Sequence, residues 1–327
     1  MSERGPFCLV GDIGGTNARF ALAYGTAEHP SVQGFSALAA DDFETPESAI
    51  HYYLECQCLD RLPDAVVLSV AGPVANGAVT FTNRAWSLSE EGVRTGTGIP
   101  VTKLLNDFAA LALSIPSLSG PDLHTIGPEL DTAGQVSCVV LGPGTGFGAS
   151  ILLRSQEELV IPTESGHITL PTESPEELAL RTILSKDLNH VSVENIVSGP
   201  GLVRLYRACA ELQGAQAVYA DAGPIASAAR AGDPLSRMAV DHFIRFLATA
   251  AGDIVLATGS RGGAYVAGGI LPRLLGQLDA QEFRRCFENK GVMQAYMSAI
   301  PVRVITHRYP ALLGAARFGL RLPVNLS

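Results

Sequence analysis

Asn106-Asp107 follows the apolar run Val101–Leu105, so a carboxylate stands just beyond the carboxyl end of a predicted buried strand. That is the usual ligand side of an open α/β sheet. A carboxylate there is ionised at neutral pH and can take a proton from a hydroxyl held within hydrogen-bond reach. Asn-Asp is equally a helix-capping pair, and the pattern alone leaves both readings open. Two further carboxylates, Glu164 in Glu164-Ser165-Gly166-His167 and Glu194 in His190-Val191-Ser192-Val193-Glu194, belong to no obvious charged helical face. His167 taken singly reads as readily as an ordinary core or surface histidine. No H-E-x-x-H or comparable ligand spacing makes these residues a zinc site. Carboxylates, an amide and an imidazole without a metal motif suit the binding of several hydroxyl groups.

Three glycine-rich stretches could hold phosphate, which needs several backbone N–H groups converging at close range. They are Asp12-Ile13-Gly14-Gly15-Thr16-Asn17, then Gly142-Pro143-Gly144-Thr145-Gly146-Phe147-Gly148, and finally Gly268-Gly269. The middle stretch lacks the G-x-G-x-x-G spacing and runs on into the strand-like Ala149–Leu153, unlike a dinucleotide-binding loop. No G-x-x-x-x-G-K-[ST] occurs, which argues against a P-loop. What remains is two hairpin turns carrying Gly and Thr, able to hold one polyphosphate between two lobes, plus a strand-to-helix junction. Asp12 adds a carboxylate inside the first apolar run, where an unpaired charge would be costly. A Mg²⁺ shell bridging phosphates through water fits it, since that ion accepts one or two carboxylates and keeps its waters. An Asx-type bond to the backbone of Gly14 or Gly15 is the plainer alternative.

The elements that must position these residues repeat. Phe7–Val10 and Ala18–Ala23 flank the first glycine turn, and Val136–Leu141 and Ala149–Leu153 flank the second, about half a chain later. One hairpin unit used twice predicts two similar lobes. Ala65–Ala71 reads as a buried strand, and Phe108–Leu113 as a helix after Asp107. Ser174-Pro175-Glu176-Glu177 is a capping box that opens a helix over 176–184, and Asp233-Pro234 opens a longer one. Ala264–Ala267 and Val302–Thr306 read as strands, and Ala311–Phe318 as a closing helix. Strands and helices alternate in both halves, which predicts an α/β fold with mixed sheets.

Bulk properties narrow the function classes. A length of 327 residues, 47% of them hydrophobic, supports two substantial cores. The net charge of −9 and the lack of a Lys/Arg-rich segment point away from nucleic acid, whose binding rests on phosphate neutralisation. No apolar stretch reaches spanning length, so a membrane partner is not expected; the longest, Phe246–Thr258, is interrupted by Asp253. Six cysteines without a C-x-x-C pair read as small buried thiols in a reducing cytoplasm.

Taken in order, these segments resemble the bacterial glucokinase family, within the superfamily that includes hexokinases, actin and the heat-shock ATPases. Leu9-Val10-Gly11-Asp12-Ile13-Gly14-Gly15-Thr16-Asn17-Ala18-Arg19 resembles the family's first phosphate loop. Ala71-Gly72-Pro73-Val74 and Thr82-Asn83-Arg84-Ala85-Trp86 resemble its small-lobe markers, and Asn106-Asp107-Phe108 its catalytic segment. Gly144-Thr145-Gly146-Phe147-Gly148 is similar to the second phosphate loop. Glu164, His167 and Glu194 match sugar-binding positions, and Val197-Ser198-Gly199-Pro200-Gly201-Leu202 follows the last of them. Ala267-Gly268-Gly269-Ile270 resembles the adenosine segment and Pro310-Ala311-Leu312-Leu313-Gly314-Ala315 the closing helix.

The resemblance implies two ribonuclease-H-like lobes around a central cleft, with a small lobe of residues 1–115 and 309–327 and a large lobe of 116–308. It implies ATP-dependent phosphorylation of glucose to glucose 6-phosphate in a cytoplasmic homodimer feeding glycolysis. Asp107 would be the general base, and Asn106, Asp107, Glu164, His167 and Glu194 would hold the sugar. ATP would meet Asp12, Gly14, Gly15, Thr16, Asn17, Gly144, Thr145, Gly146, Gly268 and Gly269, with Mg²⁺ held by Asp12 through water. Ser165 stands where the family usually has Gly, a departure that bears on hexose selectivity. A kinase for another hexose, or a silent sugar-sensing regulator, are the alternatives. Regulators of the related repressor-and-kinase (ROK) branch carry a DNA-binding segment ahead of the first loop, which here opens within a dozen residues of Met1. The Cys-rich zinc motif of that branch follows its catalytic segment, whereas Cys56-Gln57-Cys58 precedes Asp107.

Overall fold

The computed structural model describes residues 5–81, 86–155 and 158–323. Of the marker Thr82-Asn83-Arg84-Ala85-Trp86, residues 82–85 lie outside the described residues. The chain divides into two compact units, Met1–Ser119 with His307–Ser327, and Gly120–Thr306.

The first unit contains strands β1 (Cys8–Ile13), β2 (Asn17–Gly25), β3 (Pro30–Ala39), β4 (Ala65–Val70), β5 (Ala78–Thr80), β6 (Ser87–Ser89) and β7 (Val101–Asn106). Its main sheet has the order β3-β2-β1-β4-β7, and β5 pairs with β6 in a separate ribbon. The pairs β1–β2 and β2–β3 are antiparallel, while β1–β4 and β4–β7 are parallel. The apolar run of β4 is buried throughout, as expected of a central parallel strand covered on both faces. The period-2 alternation sorts the side chains. Leu9, Ile13, Phe20, Val66, Leu68 and Val70 face Ile50 and Tyr53 of the helix Pro46–Cys56. Cys8, Val10, Ala21, Ala65 and Val67 face Leu312, Ala315 and Ala316 of the closing helix Pro310–Gly319. That closing helix also packs on the helix Asp107–Ser114, at a crossing where Gly314 lies directly against the Ala110 carbonyl.

The second unit contains β8 (Leu123–Thr125), β9 (Ser137–Pro143), β10 (Phe147–Arg154), β11 (Glu158–Thr163), β12 (Ala264–Val266) and β13 (Val302–Ile305). The sheet order is β11-β10-β9-β12-β13-β8. Its first five strands repeat the order of the first unit, with the same antiparallel and parallel pairings. The duplication predicted from the two glycine hairpins is therefore present in the topology. Between β11 and β12 lies a set of helices. The longest is Pro234–Thr258, whose Phe243, Phe246, Leu247, Ala250 and Ala251 are buried in the core. Asp233 caps its start and Gly259, at φ 62°, its end. The predicted box of Ser174 and Glu177 caps the helix Pro175–Leu184. No described helix is long and apolar enough to cross a membrane. All six cysteines are free thiols; Cys8, Cys138, Cys209 and Cys286 are buried, but Cys56 and Cys58 are exposed where a helix ends, contrary to the expectation for all six.

Candidate active site

In the first unit, β7 ends at Asn106 and the helix Asp107–Ser114 begins at once. The capping reading of Asn-Asp holds for Asn106. Its Oδ1 accepts from the N–H of Phe108 (3.0 Å) and Ala109 (3.3 Å), which makes it the helix cap, while its Nδ2 donates to the Gly72 carbonyl at 3.2 Å. Asp107 Oδ1 accepts from the Phe108 N–H at 2.9 Å. The carboxyl is thus fixed in rotamer on the first turn. Burial pushes the Asp107 pKa up to about 6; the Phe108 N–H pulls it down and the nearby Asp12 charge adds to the rise. The result is a base ionised at neutral pH yet more basic than an ordinary carboxylate, which favours proton transfer.

Asp12 sits near the end of β1, opposite Arg19 on β2 and Ser69 on β4. Burial raises its pKa, and the Arg19 charge and hydrogen bond oppose the rise. Arg19 Nη1 lies 3.0 Å from Asp12 Oδ2. The buried charge expected to need a cation therefore has one within the protein. Among the described residues, no group of three or more His, Cys, Asp or Glu side chains could hold a metal ion. A lone carboxylate already paired with Arg19 fits only a Mg²⁺ that keeps its waters and is held mainly by phosphates.

The two hairpin turns share a device that the sequence does not disclose. Gly14 N–H donates to the Asn17 carbonyl at 3.0 Å, and Gly144 N–H to the Gly146 carbonyl at 2.8 Å. These two glycines, expected among the phosphate donors, use their amides to close the turns. The N–H groups of Gly15 and Thr16, and of Thr145 and Gly146, have no acceptor among the described residues. They are the ones open to an anion.

In the second unit, Phe147 joins three of the expected segments. Glu194, on the short helix Val193–Ile196, accepts from the Phe147 N–H at 2.8 Å through Oε2. Gly166 of the Ser165–His167 turn lies so close to the Phe147 carbonyl that a side chain there would overlap it. Glu164 and His167 both turn outward to solvent, with Glu164 Oε2 and His167 Nε2 4.0 Å apart. The Ser165 hydroxyl lies 2.7 Å from Thr163 Oγ1. Ser165 is thus tied back to the end of β11. Gly268, at φ 93°, approaches the Pro143 carbonyl too closely for any side chain, so its place is to join β9 and β12. Gly269 has open space around it.

The sequence reading missed a cavity of about 500 Å³ beside the second hairpin, lined by Gly199, Pro200, Val203, Arg207, Asp221 and neighbours. Gly199 N–H donates to the Gly144 carbonyl at 2.9 Å, which joins this cavity to the phosphate turn. The signal available in the sequence was Ser198-Gly199-Pro200, a helix opening directly after Glu194.

A sheet order repeated in both units, each with a glycine-turned hairpin between its first two strands, defines the actin-like ATPase fold. More narrowly, the chain belongs to the glucokinase family, whose model matches residues 9–321. Glucokinase of Caulobacter sp. (strain K31) is 42% identical, over 94% of this chain and 93% of its own length. Glucokinase of Caulobacter vibrioides (strain NA1000 / CB15N) is 41% identical, over 96% of each chain. The crystal structure of glucokinase from an Antarctic psychrotroph superposes with a TM-score of 0.87 at 35% identity, covering 96% of this chain and 98% of that one.

An acid limb in the rate follows from the raised Asp107 pKa. If Asp107 is the general base it must be ionised to act, so kcat/KM should fall about tenfold per pH unit below about pH 6. An unshifted aspartate would hold the plateau down to about pH 4. A pH–rate profile on a folded enzyme, checked by circular dichroism at each pH, separates the two.

Proposed function

We propose that the chain phosphorylates D-glucose at the 6-hydroxyl with ATP as donor, Asp107 taking the hydroxyl proton as the oxygen attacks the γ-phosphate. The observation that carries this reading is the Asp107 carboxyl itself. It is fixed by the Phe108 N–H, half-buried and pushed up to about 6, next to a second carboxylate at Asp12. Phosphoryl transfer asks mainly for positioning and charge stabilisation. Donors for phosphate oxygens are Gly15 and Thr16 in the first hairpin and Thr145 and Gly146 in the second, while Gly14, Asn17 and Gly144 shape the turns. Asp12 would hold Mg²⁺ through water, and that ion, when bound, would neutralise charge developing on the phosphates. The cavity beside Gly199, together with Gly268 and Gly269, is assigned to the adenosine.

Asn106, Glu164, His167 and Glu194 are assigned to the sugar hydroxyls. Glu164→Gln should chiefly raise the KM for glucose, by about 10-fold or more, because a hydrogen bond to a charged group contributes ~1.5–3 kcal/mol. Its KM for ATP should stay within about twofold. A change confined to ATP in steady-state kinetics would show that Glu164 belongs to the nucleotide. Names of the relatives favour glucose, and ATP follows from the family.

A cytoplasmic homodimer supplying glycolysis completes the proposal; six free thiols suit a reducing compartment. The experiment that tests the whole is sugar-dependent ADP release, with and without Mg²⁺. Glucose should be preferred over mannose, fructose and N-acetylglucosamine, with release lost when EDTA is added. Equal rates with another hexose would reassign the substrate, and no release with any sugar would overturn the kinase reading. Sedimentation of the same preparation reports the oligomeric state.

A further inference from the structure

Glu194 is bound to the second hairpin more closely than a residue that only meets sugar would need to be. Its Oε2 accepts the Phe147 N–H at 2.8 Å. A methyl group built on Gly146 would fall on the same carboxylate, so the glycine is there to let Glu194 approach. The segment that follows Glu194 is tied to the other end of the turn, through Gly199 N–H and the Gly144 carbonyl at 2.9 Å. The turn itself is closed by the Gly144 N–H on the Gly146 carbonyl. Between them, these contacts fix the peptide planes of Thr145 and Gly146, whose N–H groups are open. Resting on the reading that gives Glu194 to the sugar, we propose that Glu194 is also a positioning residue for the second phosphate loop, so that sugar and nucleotide occupancy are coupled through Gly146–Phe147.

Sugar and phosphate loop share one constraint, the Glu194 carboxylate. A carboxylate with free rotamers holds the Phe147 amide only part of the time. Sugar hydroxyls that donate to Glu194 fix its rotamer, and the amide anchored on its Oε2 then holds the loop in the donor-ready shape. The nucleotide gains affinity without touching the sugar. Linkage requires the reverse as well, since a nucleotide that fixes the loop must raise sugar affinity by the same factor. Couplings of this kind run from about 5- to 150-fold.

Two calorimetric titrations of the full chain test the proposal. In the first, glucose is titrated without nucleotide into wild type, Gly146→Ala and Gly144→Ala. Gly146→Ala displaces Glu194 and should weaken glucose about tenfold or more, although the substitution lies in a phosphate loop. Gly144→Ala meets open space and should leave glucose affinity within about twofold. In the second, MgADP is titrated into wild type and Glu194→Ala, each with and without saturating glucose. Wild type should gain about fivefold or more in MgADP affinity from glucose, and Glu194→Ala, which has lost the acceptor for the Phe147 N–H, should gain nothing. If Gly146→Ala fails to melt cooperatively, the second titration decides alone. Glucose binding that is equal in wild type and Gly146→Ala, or a glucose effect on MgADP that survives in Glu194→Ala, overturns the coupling and leaves the kinase reading intact. A wild type that binds no glucose overturns both.

Discussion

Replacing Asp107 by asparagine should lower kcat by roughly 10²–10⁴ or more while leaving sugar affinity within an order of magnitude. Asparagine keeps the shape and an oxygen to accept the Phe108 N–H, so the helix start is preserved. What it cannot do is take up a proton. The same substitution should make the protein more stable at neutral pH, and the sign follows from linkage. Burial raises the folded-state pKa from 3.8 to about 6. Ionising Asp107 therefore disfavours the fold, with no cost below pH ~4, a growing cost between, and a full cost above about pH 6. At about 1.36 kcal/mol per unit, the gain at pH 7.5 is on the order of 1–3 kcal/mol, and it should shrink as pH falls toward 5. Single-turnover kinetics and thermal melts at both pH values measure the two halves. Near-normal turnover in folded Asp107→Asn would remove Asp107 as the base.

The second large effect is expected at Gly314, far from any reacting atom in sequence. A methyl there would overlap the Ala110 carbonyl and press on the Ser114 amide, both within the helix that starts at Asp107. Neither is a flexible side-chain end that can swing away. Relief requires the closing helix and the Asp107 helix to separate, and overpacking of this kind costs ~1–3 kcal/mol, sometimes more. Gly314→Ala should lower Tm by about 5 °C or more and lower kcat, because the displaced helix carries Asp107, the proposed base. Gly223→Ala, in the helix Ala222–Arg230, makes the comparison: nothing lies near its added methyl, and alanine in a helix is favoured by up to ~1 kcal/mol. A Gly314→Ala enzyme with unchanged Tm and kcat would mean that this crossing adjusts freely.

Much of this was legible in the sequence because local rules and global fold agree. The second hairpin, the buried run of β4, the Ser174 capping box and the closing helix lie within a residue or two of where their patterns put them, while β1 runs on to Ile13, three residues past its expected end at Val10. The helix Gly199–Gln213 was harder to see. Its first turn reads Gly-Pro-Gly, which is poor helical composition until Ser198 caps it, and Gly201 is required because it packs on the Ile196 carbonyl. In the candidate site, the hairpin and strand-end segments were readable but hydrogen-bond bookkeeping was not. Nothing in Gly14-Gly15-Thr16 or Gly144-Thr145-Gly146 says which amide closes the turn and which faces out. Nor does Asp12 announce that Arg19, seven residues on, will sit beside it; that pairing is a matter of cross-strand register.

The discontinuity of the first unit bears on how the protein is made. The sheet face carrying Cys8, Val10, Ala65 and Val67 is covered by Leu312, Ala315 and Ala316, which are made long after it. At ~5–20 residues per second, translation leaves that greasy face bare for on the order of tens of seconds. During this interval the nascent chain is a client for holdase chaperones, while Gly120–Thr306 is continuous and can mature as it emerges. A message truncated shortly before codon 310 would therefore yield a product whose amino-terminal sheet can never be sealed, and quality-control proteases would be its fate.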